Sequence, residues 1–220
     1  MSNVIKITKG LDIKLEGVAD KVFGTSKDSK TYAVKPTDFH GIIPKLAVKA
    51  GDEVLAGDTL FFSKDNPEVK FASPVSGEVV EIVRGAKRKI LEVKILADTE
   101  VRYKNFSPKA GSADEVKASM MESGLWAFVK QRPYDVVANP NKSPKAIVIS
   151  AFNSEPLAGD LDFILHGREA DFQAGVDALA KLSANVHVNN HAVRTASEAL
   201  KNVKNPKLNV FEGPHPSGLA

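Results

Sequence analysis

Two Gly-Asp pairs in close succession, Gly51-Asp52 and Gly57-Asp58, constrain this chain more than any other feature. Glycine reaches positive φ at little cost, and aspartate bonds its own nearby backbone, so each pair marks a tight turn. Val48, Val54 and Leu60 supply the apolar positions around them. A second run follows from Phe71 to Ile82, in which Pro74 and Gly77 bracket a turn and Val79, Val80, Ile82 and Val83 read as a strand. Two such halves, filling the stretch from Gly41 to Ile95, predict a small flattened β-barrel built from two similar hammerheads.

The spacing G-D-x-V-x-x-G-D-x-L and the later Ser-Pro-Val-Ser-Gly turn resemble the biotinyl/lipoyl carrier fold. That resemblance implies a modifiable lysine at the hairpin tip between the halves, near Asn66. The tip reads Ser63-Lys64-Asp65-Asn66-Pro67-Glu68, so Lys64 stands two places from the expected position. The sequence therefore predicts the barrel without the carrier chemistry, since a fold does not bring its chemistry with it.

At 220 residues the chain has room for one large domain or two small ones, with ample core. A net charge of +3 makes no demand for nucleic acid. The basic turn Arg84-Gly85-Ala86-Lys87-Arg88-Lys89 lacks the interleaved aromatics that stack on bases, and reads as a solvated hairpin. Cysteine is absent, which excludes disulfides, thiolate catalysis and iron–sulfur ligation by this chain. The first residues lack a signal-peptide core. No apolar run approaches the ~20 residues of a membrane span.

Residues 1–37 read as an N-terminal strand around Val4, Ile5 and Ile7, then a turn-rich, charged loop with short strand pieces from 11 to 30, then a short strand at Tyr32–Val34. Residues 38–100 hold the barrel, preceded by His40, which reads as structural. Beyond residue 100 the pattern changes. Ser112-Ala113-Asp114-Glu115 is a capping box opening a helix through Met121, with Gly124 suited to its left-handed end. Trp126, the single tryptophan, reads as a packing anchor. Lys145–Ser150 is a continuous apolar run that predicts a buried parallel strand. A helix at 170–183, a strand at 186–188, a helix at 193–200 and a strand at 208–211 follow. The fold class is thus α+β followed by α/β: a barrel-sandwich hybrid, then part of a Rossmann-like open sheet spanning 101–220.

Ligands in such sheets lie beyond the carboxyl ends of the strands. Those ends carry Phe152, Asn153 and Glu155, then Asn189-Asn190-His191, then Gly213-Pro214-His215-Pro216. No dinucleotide, P-loop or nucleophile-elbow fingerprint is present. His187 and His191 do not form a helical metal pair, and Asp160 and Asp162 read as solvated. Asn153 and Glu155 are the better ligand candidates; Phe152 and His215 complete the candidate pocket. No catalytic residue and no metal ligand is assigned.

Gly124-Leu125-Trp126, Arg132-Pro133, Glu155-Pro156-Leu157-Ala158 and the run Gly213–Ala220 resemble the A subunit of bacterial Na+-translocating NADH:quinone reductases. That family is related to the C subunit of the Rnf complex and the flavin-binding subunit of complex I. The resemblance implies that Gly124–Pro133 corresponds to a loop that cradles FMN in those relatives. Here Trp126 and Phe128 are expected to fill the cleft, leaving Gly124 and Arg132 in a degenerate site. It further implies a peripheral subunit on the cytoplasmic face of the inner membrane, bound chiefly to a membrane subunit, with ubiquinone as a further partner. Flavins, an iron–sulfur cluster and NADH belong to other subunits, so the chain itself is expected to carry no cofactor. The family continues beyond the last motif, so a longer gene product is expected. The alternatives are a stand-alone carrier-domain protein or a nucleotide-binding enzyme of the α/β class.

Overall fold

The Gly-Asp turns clamp the two half-motifs together. Gly51 N–H donates to Val79 O at 2.8 Å and Val79 N–H returns to Asp52 O at 2.9 Å. The second pair repeats the arrangement on Ser73: Gly57 N–H to Ser73 O and Ser73 N–H to Asp58 O, each 2.8 Å. Each aspartate also rigidifies its own turn, Asp52 accepting the Lys49 amide at 2.9 Å and Asp58 the Leu55 amide at 2.8 Å. The turn chemistry read from the sequence is thus the device that closes the barrel.

The computed structural model describes residues 3–17, 19–25, 29–195 and 197–218. In chain order its strands begin with β1 (Asn3–Lys6), β2 (Thr31–Val34), β3 (Pro44–Leu46), β4 (Glu53–Val54), β5 (Thr59–Ser63) and β6 (Lys70–Ala72). Then come β7 (Gly77–Arg84), β8 (Ile90–Ala97), helix α1 (Ala113–Glu122), β9 (Lys130–Gln131) and β10 (Val136–Val137). The remainder is β11 (Ile147–Ser150), α2 (Leu161–Leu165), α3 (Glu169–Leu182), β12 (Val186–His191), α4 (Glu198–Lys201) and β13 (Lys207–Glu212). Packing divides the chain into two units, Thr25–Lys142 and the pairing of Met1–Gly24 with Ser143–Ala220.

The barrel of the first unit is made of two sheets, ordered β2-β8-β7-β4 and β3-β5-β6, whose named strand pairs are antiparallel, and the β9-β10 hairpin lies in the same unit. Leu60, Phe61, Val79, Val93 and Ile95 are fully buried between them. Each such side chain contributes about 1.5–3 kcal/mol by leaving water. Phe61 stacks on Phe71 at 4.7 Å, and Phe39 meets Phe71 edge-on at 4.6 Å. The hairpin between β5 and β6 turns at Asn66–Val69, closed by Val69 N–H to Asn66 O at 2.9 Å. Lys64 lies exposed before that turn, its main-chain N–H bonded to Ile43 O at 2.7 Å. The basic turn after β7 is held by Gly85 N–H to Lys89 O at 2.8 Å.

Helix α1 lies in this same unit. Its capping box forms: Glu115 N–H reaches Ser112 Oγ at 3.2 Å, and Ser112 N–H reaches Glu115 Oε2 at 3.1 Å. Gly124 follows it at φ +80° and opens a 3-10 turn, Leu125–Phe128. Trp126 is buried there and donates Nε1–H to Ala138 O at 2.8 Å, so the anchor joins α1's end to the β9-β10 hairpin.

The second unit is a parallel sheet, β1-β13-β12-β11. Ile149, Val188 and Leu208 present one face to Leu165 of α2, Phe172 of α3 and Leu200 of α4. The opposite face carries Asn209, whose amide donates to Asn189 Oδ1 at 2.9 Å and sits 3.2 Å from His187 Nδ1. Two readings change here. The run 145–150 predicts a strand buried on both faces, but β11 is the sheet's edge, and Val148 is 51% exposed. An edge strand under one helical layer buries only alternate side chains. The helix expected over 193–200 is confined to α4. His191 and Thr195 side chains hold the preceding turn through its main chain, which competes with helix formation.

Candidate functional site

The carboxyl ends of β11, β12 and β13 bring Ser154, His191 and His215 to one edge of the parallel sheet. Ser154 Oγ lies 2.9 Å from Ser217 O and 3.0 Å from His215 Nδ1. A carbonyl oxygen only accepts, so the Ser154 proton points at Ser217. Ser154 Oγ then accepts from His215 Nδ1–H. The direction is opposite to that of a serine activated by a histidine base, so the pair is a structural brace and not a nucleophile.

His191 is fixed as firmly. Its Nδ1 accepts the Val193 and Arg194 amides at 3.2 and 3.1 Å, so its proton sits on Nε2, which faces Gly213 O at 3.4 Å. Its ring packs on Phe152 at 5.1 Å, and Phe152 also meets Phe211 at 5.9 Å. Phe152 is buried, and Gly218, at φ +77°, lies flat against it: a Cβ there would come within 2.0 Å of the ring. Asn153 and Glu155 stand above this core and hold each other. Glu155 N–H donates to Asn153 Oδ1 at 2.8 Å and Asn153 Nδ2 to Glu155 Oε2 at 3.2 Å. The four pocket candidates therefore share one edge of the sheet, with Phe152 beneath and Asn153, Glu155 and His215 above.

The loop expected at residues 11–30 includes a strap across that edge. Asp12 Oδ1 accepts the His215 amide at 3.0 Å and lies 3.4 Å from Arg194 Nη2. Arg194 Nη1 in turn reaches Asn153 O at 3.4 Å. Farther along, Lys21 pairs with Asp160 at 2.7 Å and Phe23 stacks on Phe163 at 4.7 Å. The Lys21 ammonium, hydrogen-bonded to Asp160, holds that carboxyl below the usual carboxylate range. Asp160 is thus paired, and it caps α2 through Phe163 N–H at 3.2 Å. The sequence reading missed Asp12, Arg194 and Lys21. The signal lies in Leu11-Asp12-Ile13-Lys14-Leu15-Glu16, whose strict alternation is a strand pattern.

Nucleotide sheets bind at a reversal of strand order, where neighbouring crossovers leave on opposite faces. Here β11, β12 and β13 advance in one direction with all their helices on one face. Among the described residues, the crossovers leave no such crevice. Nor is a group of three or more His, Asp or Glu placed to hold a metal ion among them.

The segment Gly124–Pro133 belongs to the barrel's unit and not to that of the parallel sheet. A Cβ at Gly124 would lie 3.0 Å from Ala72 Cβ, so the glycine serves close packing on β6. Trp126 is buried, whereas Phe128 is 71% exposed and touches Phe39 edge-on at 6.3 Å, so it fills no cleft. Lys130 and Arg132 both face Asp135 at 3.8 Å, and His40 lies 3.9 Å from the same carboxylate. The positive charge a phosphate would need is met within the protein, and the amides fold into a 3-10 turn. These residues do not fit a flavin phosphate.

A barrel-sandwich hybrid and a parallel sheet with a braced carboxyl edge define a two-part protein of mixed α and β structure. Residues 5–98 match the NqrA N-terminal barrel-sandwich hybrid domain, and residues 111–220 match the NqrA second alpha/beta domain. The A subunit of the Na(+)-translocating NADH-quinone reductase of Vibrio vulnificus (strain YJ016) is 37% identical over 223 residues, 99% of this chain and 49% of that protein. The protein of the same name from Pseudomonas aeruginosa PAO1 is 34% identical over 221 residues, 98% of this chain and 49% of that protein. The chain belongs to the NqrA family, and it spans about half the length of these relatives.

Proposed function

We propose that this chain acts as part of the NqrA component of a respiratory Na+-pumping NADH:quinone reductase, without carrying a redox group itself. The observation that carries the reading is the ordered match of both domains, with 34–37% identity to NqrA relatives along nearly the whole chain. On this reading the protein sits peripherally on the cytoplasmic face of the inner membrane. Among the described residues no helix is long and apolar enough to cross a membrane, which is compatible with that position. Its partners are the other subunits, chiefly the one embedded in the membrane, and its contribution is to quinone interaction or to assembly. Flavins, iron–sulfur cluster and NADH are handled by other subunits. The pocket residues Phe152, Asn153, Glu155 and His215 are the place where this chain would meet a small ligand.

Two features of the geometry support a role without flavin. Lys130 and Arg132 face Asp135, and the sheet edge is bridged by Asp12 to Arg194 and His215. The test is purification of the native complex with cross-links mapped to this chain, together with calorimetric titration of FMN and NADH. Cross-links to membrane subunits and no micromolar binding of either ligand support the reading. Stoichiometric FMN on this chain would overturn it. An intact-mass shift of a lipoyl or biotinyl group on Lys64 would instead favour a carrier.

A further inference from the structure

The basic turn between β7 and β8 gathers four cations at one point of the barrel. Both strands are eight residues long, and Arg84 pairs with Ile90 at the end of their ladder, so the tip is rigidly carried. Arg84 Nη1 folds back on Arg88 O at 3.1 Å, which brings its guanidinium to Lys87, Arg88 and Lys89. All four residues are exposed. Among the described residues none of the four pairs with a carboxylate. The acids nearest along the two strands are already engaged: Glu81 by Lys94 at 2.7 Å, and Glu92 by Lys35 at 3.7 Å and Lys94 at 3.8 Å.

The backbone of the tip is a second, independent observation. Lys89 N–H donates to Ala86 O at 3.2 Å across Lys87 and Arg88, whose φ angles are 54° and 60°. Two consecutive left-handed residues are the mark of a type I′ turn, which favours Asn-Gly. Lysine and arginine stand there instead, at the cost of backbone strain. Cations that served solubility alone could occupy unstrained positions, whereas strain of this kind collects where a segment has a function.

We propose that Arg84, Lys87, Arg88 and Lys89 dock the barrel on a membrane surface of anionic phospholipid headgroups. A protein partner fits this tip less well. The turn offers no aromatic or large apolar side chain, whereas a specific protein interface buries about 800 Å² per partner around such anchors. An anionic bilayer needs no anchor. Headgroup charge alone attracts cations on a protruding turn, over roughly a Debye length. The proposal deepens the reading of a peripheral membrane subunit and rests on it for the nearness of a bilayer.

The test is co-sedimentation of this chain with phosphatidylcholine vesicles, either pure or containing roughly one third phosphatidylglycerol. Binding should occur only to the anionic vesicles and should fall steeply as salt rises from about 0.05 M to about 0.5 M. Changing Arg84, Lys87, Arg88 and Lys89 together to Gln should lower the partition coefficient at least tenfold. Changing the exposed Lys9, Lys14, Lys49 and Lys142 to Gln removes the same charge elsewhere and should lower it far less. Lys87→Asn with Arg88→Gly suits the turn, so it should raise thermal stability while weakening vesicle binding severalfold. Equal binding of the wild type and the tip variants would overturn the proposal, as would equal binding to neutral vesicles. No vesicle binding, with cross-links in the native complex running from Lys87 or Lys89 to another subunit, would assign the tip to a protein partner. That outcome overturns the membrane proposal and leaves the NqrA reading standing. Absence of cross-links to any subunit, with vesicle binding kept, would remove that reading and support the attraction to anionic headgroups.

Discussion

The carboxylate of Asp12 accepts the backbone N–H of His215 at 3.0 Å, across 203 positions of sequence. The same oxygen faces Arg194, so one short side chain ties the strap to the loops after β12 and β13. Asp12→Ala removes an acceptor shared by two donors. The local cost should be about 1–2 kcal/mol. Amide exchange at Leu11 and His215 should rise while exchange in the barrel stays unchanged. Asp12→Asn, which keeps one accepting oxygen, should fall between wild type and Asp12→Ala.

The far end of the strap should respond to pH. The hydrogen bond to Asp160 raises Lys21, and the hydrogen bond from Lys21 lowers Asp160. A lowered carboxyl contributes stability above its ordinary value, lost as pH falls through the depressed one. A raised lysine contributes below its ordinary value, lost as pH rises through the elevated one. The tie therefore persists from about pH 4 to about pH 10 and loosens on both sides. Phe23 ring shifts, followed by NMR across this range, should be flat in the middle and move at both ends. In Asp160→Asn the acid-side change should vanish.

Ser76 is fully buried and joins two segments that close the barrel. Its hydroxyl donates to Asp98 Oδ2 at 2.7 Å and accepts Arg102 N–H at 2.8 Å. Ser76→Ala strands the buried end of that network and should cost about 1–3 kcal/mol in thermal or chemical unfolding. Asp98 is held below the usual carboxylate range, first by the Ser76 hydrogen bond and then by Arg102. Its contribution is present above the ordinary carboxylate value and is lost as pH falls through the depressed one. Asp98→Asn should flatten the acid limb of the stability curve.

Two glycines test the two units separately. A Cβ at Gly77, at φ +148°, would lie 1.9 Å from Leu96 O between β7 and β8, and at Gly218 it would strike the Phe152 ring. Each alanine substitution combines backbone strain with overpacking, so about 3 kcal/mol or more should be lost. Gly77→Ala should shift the emission of Trp126 at lower denaturant. Gly218→Ala should leave that emission in place and expose the amides of β12 and β13.

The sequence by itself determined the elements whose causes are local. Gly51-Asp52 and Gly57-Asp58 specify their turns within a few residues. Ser112 and Glu115 cap α1 across one helical turn. The apolar spacing from Phe172 to Leu182 and the β-prone runs of β12 and β13 needed no partner to be read. The absence of nucleotide fingerprints was equally visible. Tertiary structure alone decided how these pieces share a core. Pattern changes near residue 100, yet α1 and the β9-β10 hairpin pack with the barrel, and β1 pairs with β13 at the far end of the chain. Burial on both faces of 145–150 could not be judged without knowing that β11 is an edge. The direction of the Ser154–His215 hydrogen bond required the position of Ser217 O. The strap's role required Asp12 beside Arg194 and His215. Local rules fix φ, ψ and side-chain period over a few residues, but which surfaces meet depends on loop closures spanning scores to hundreds of residues, and no short window of sequence encodes those partners.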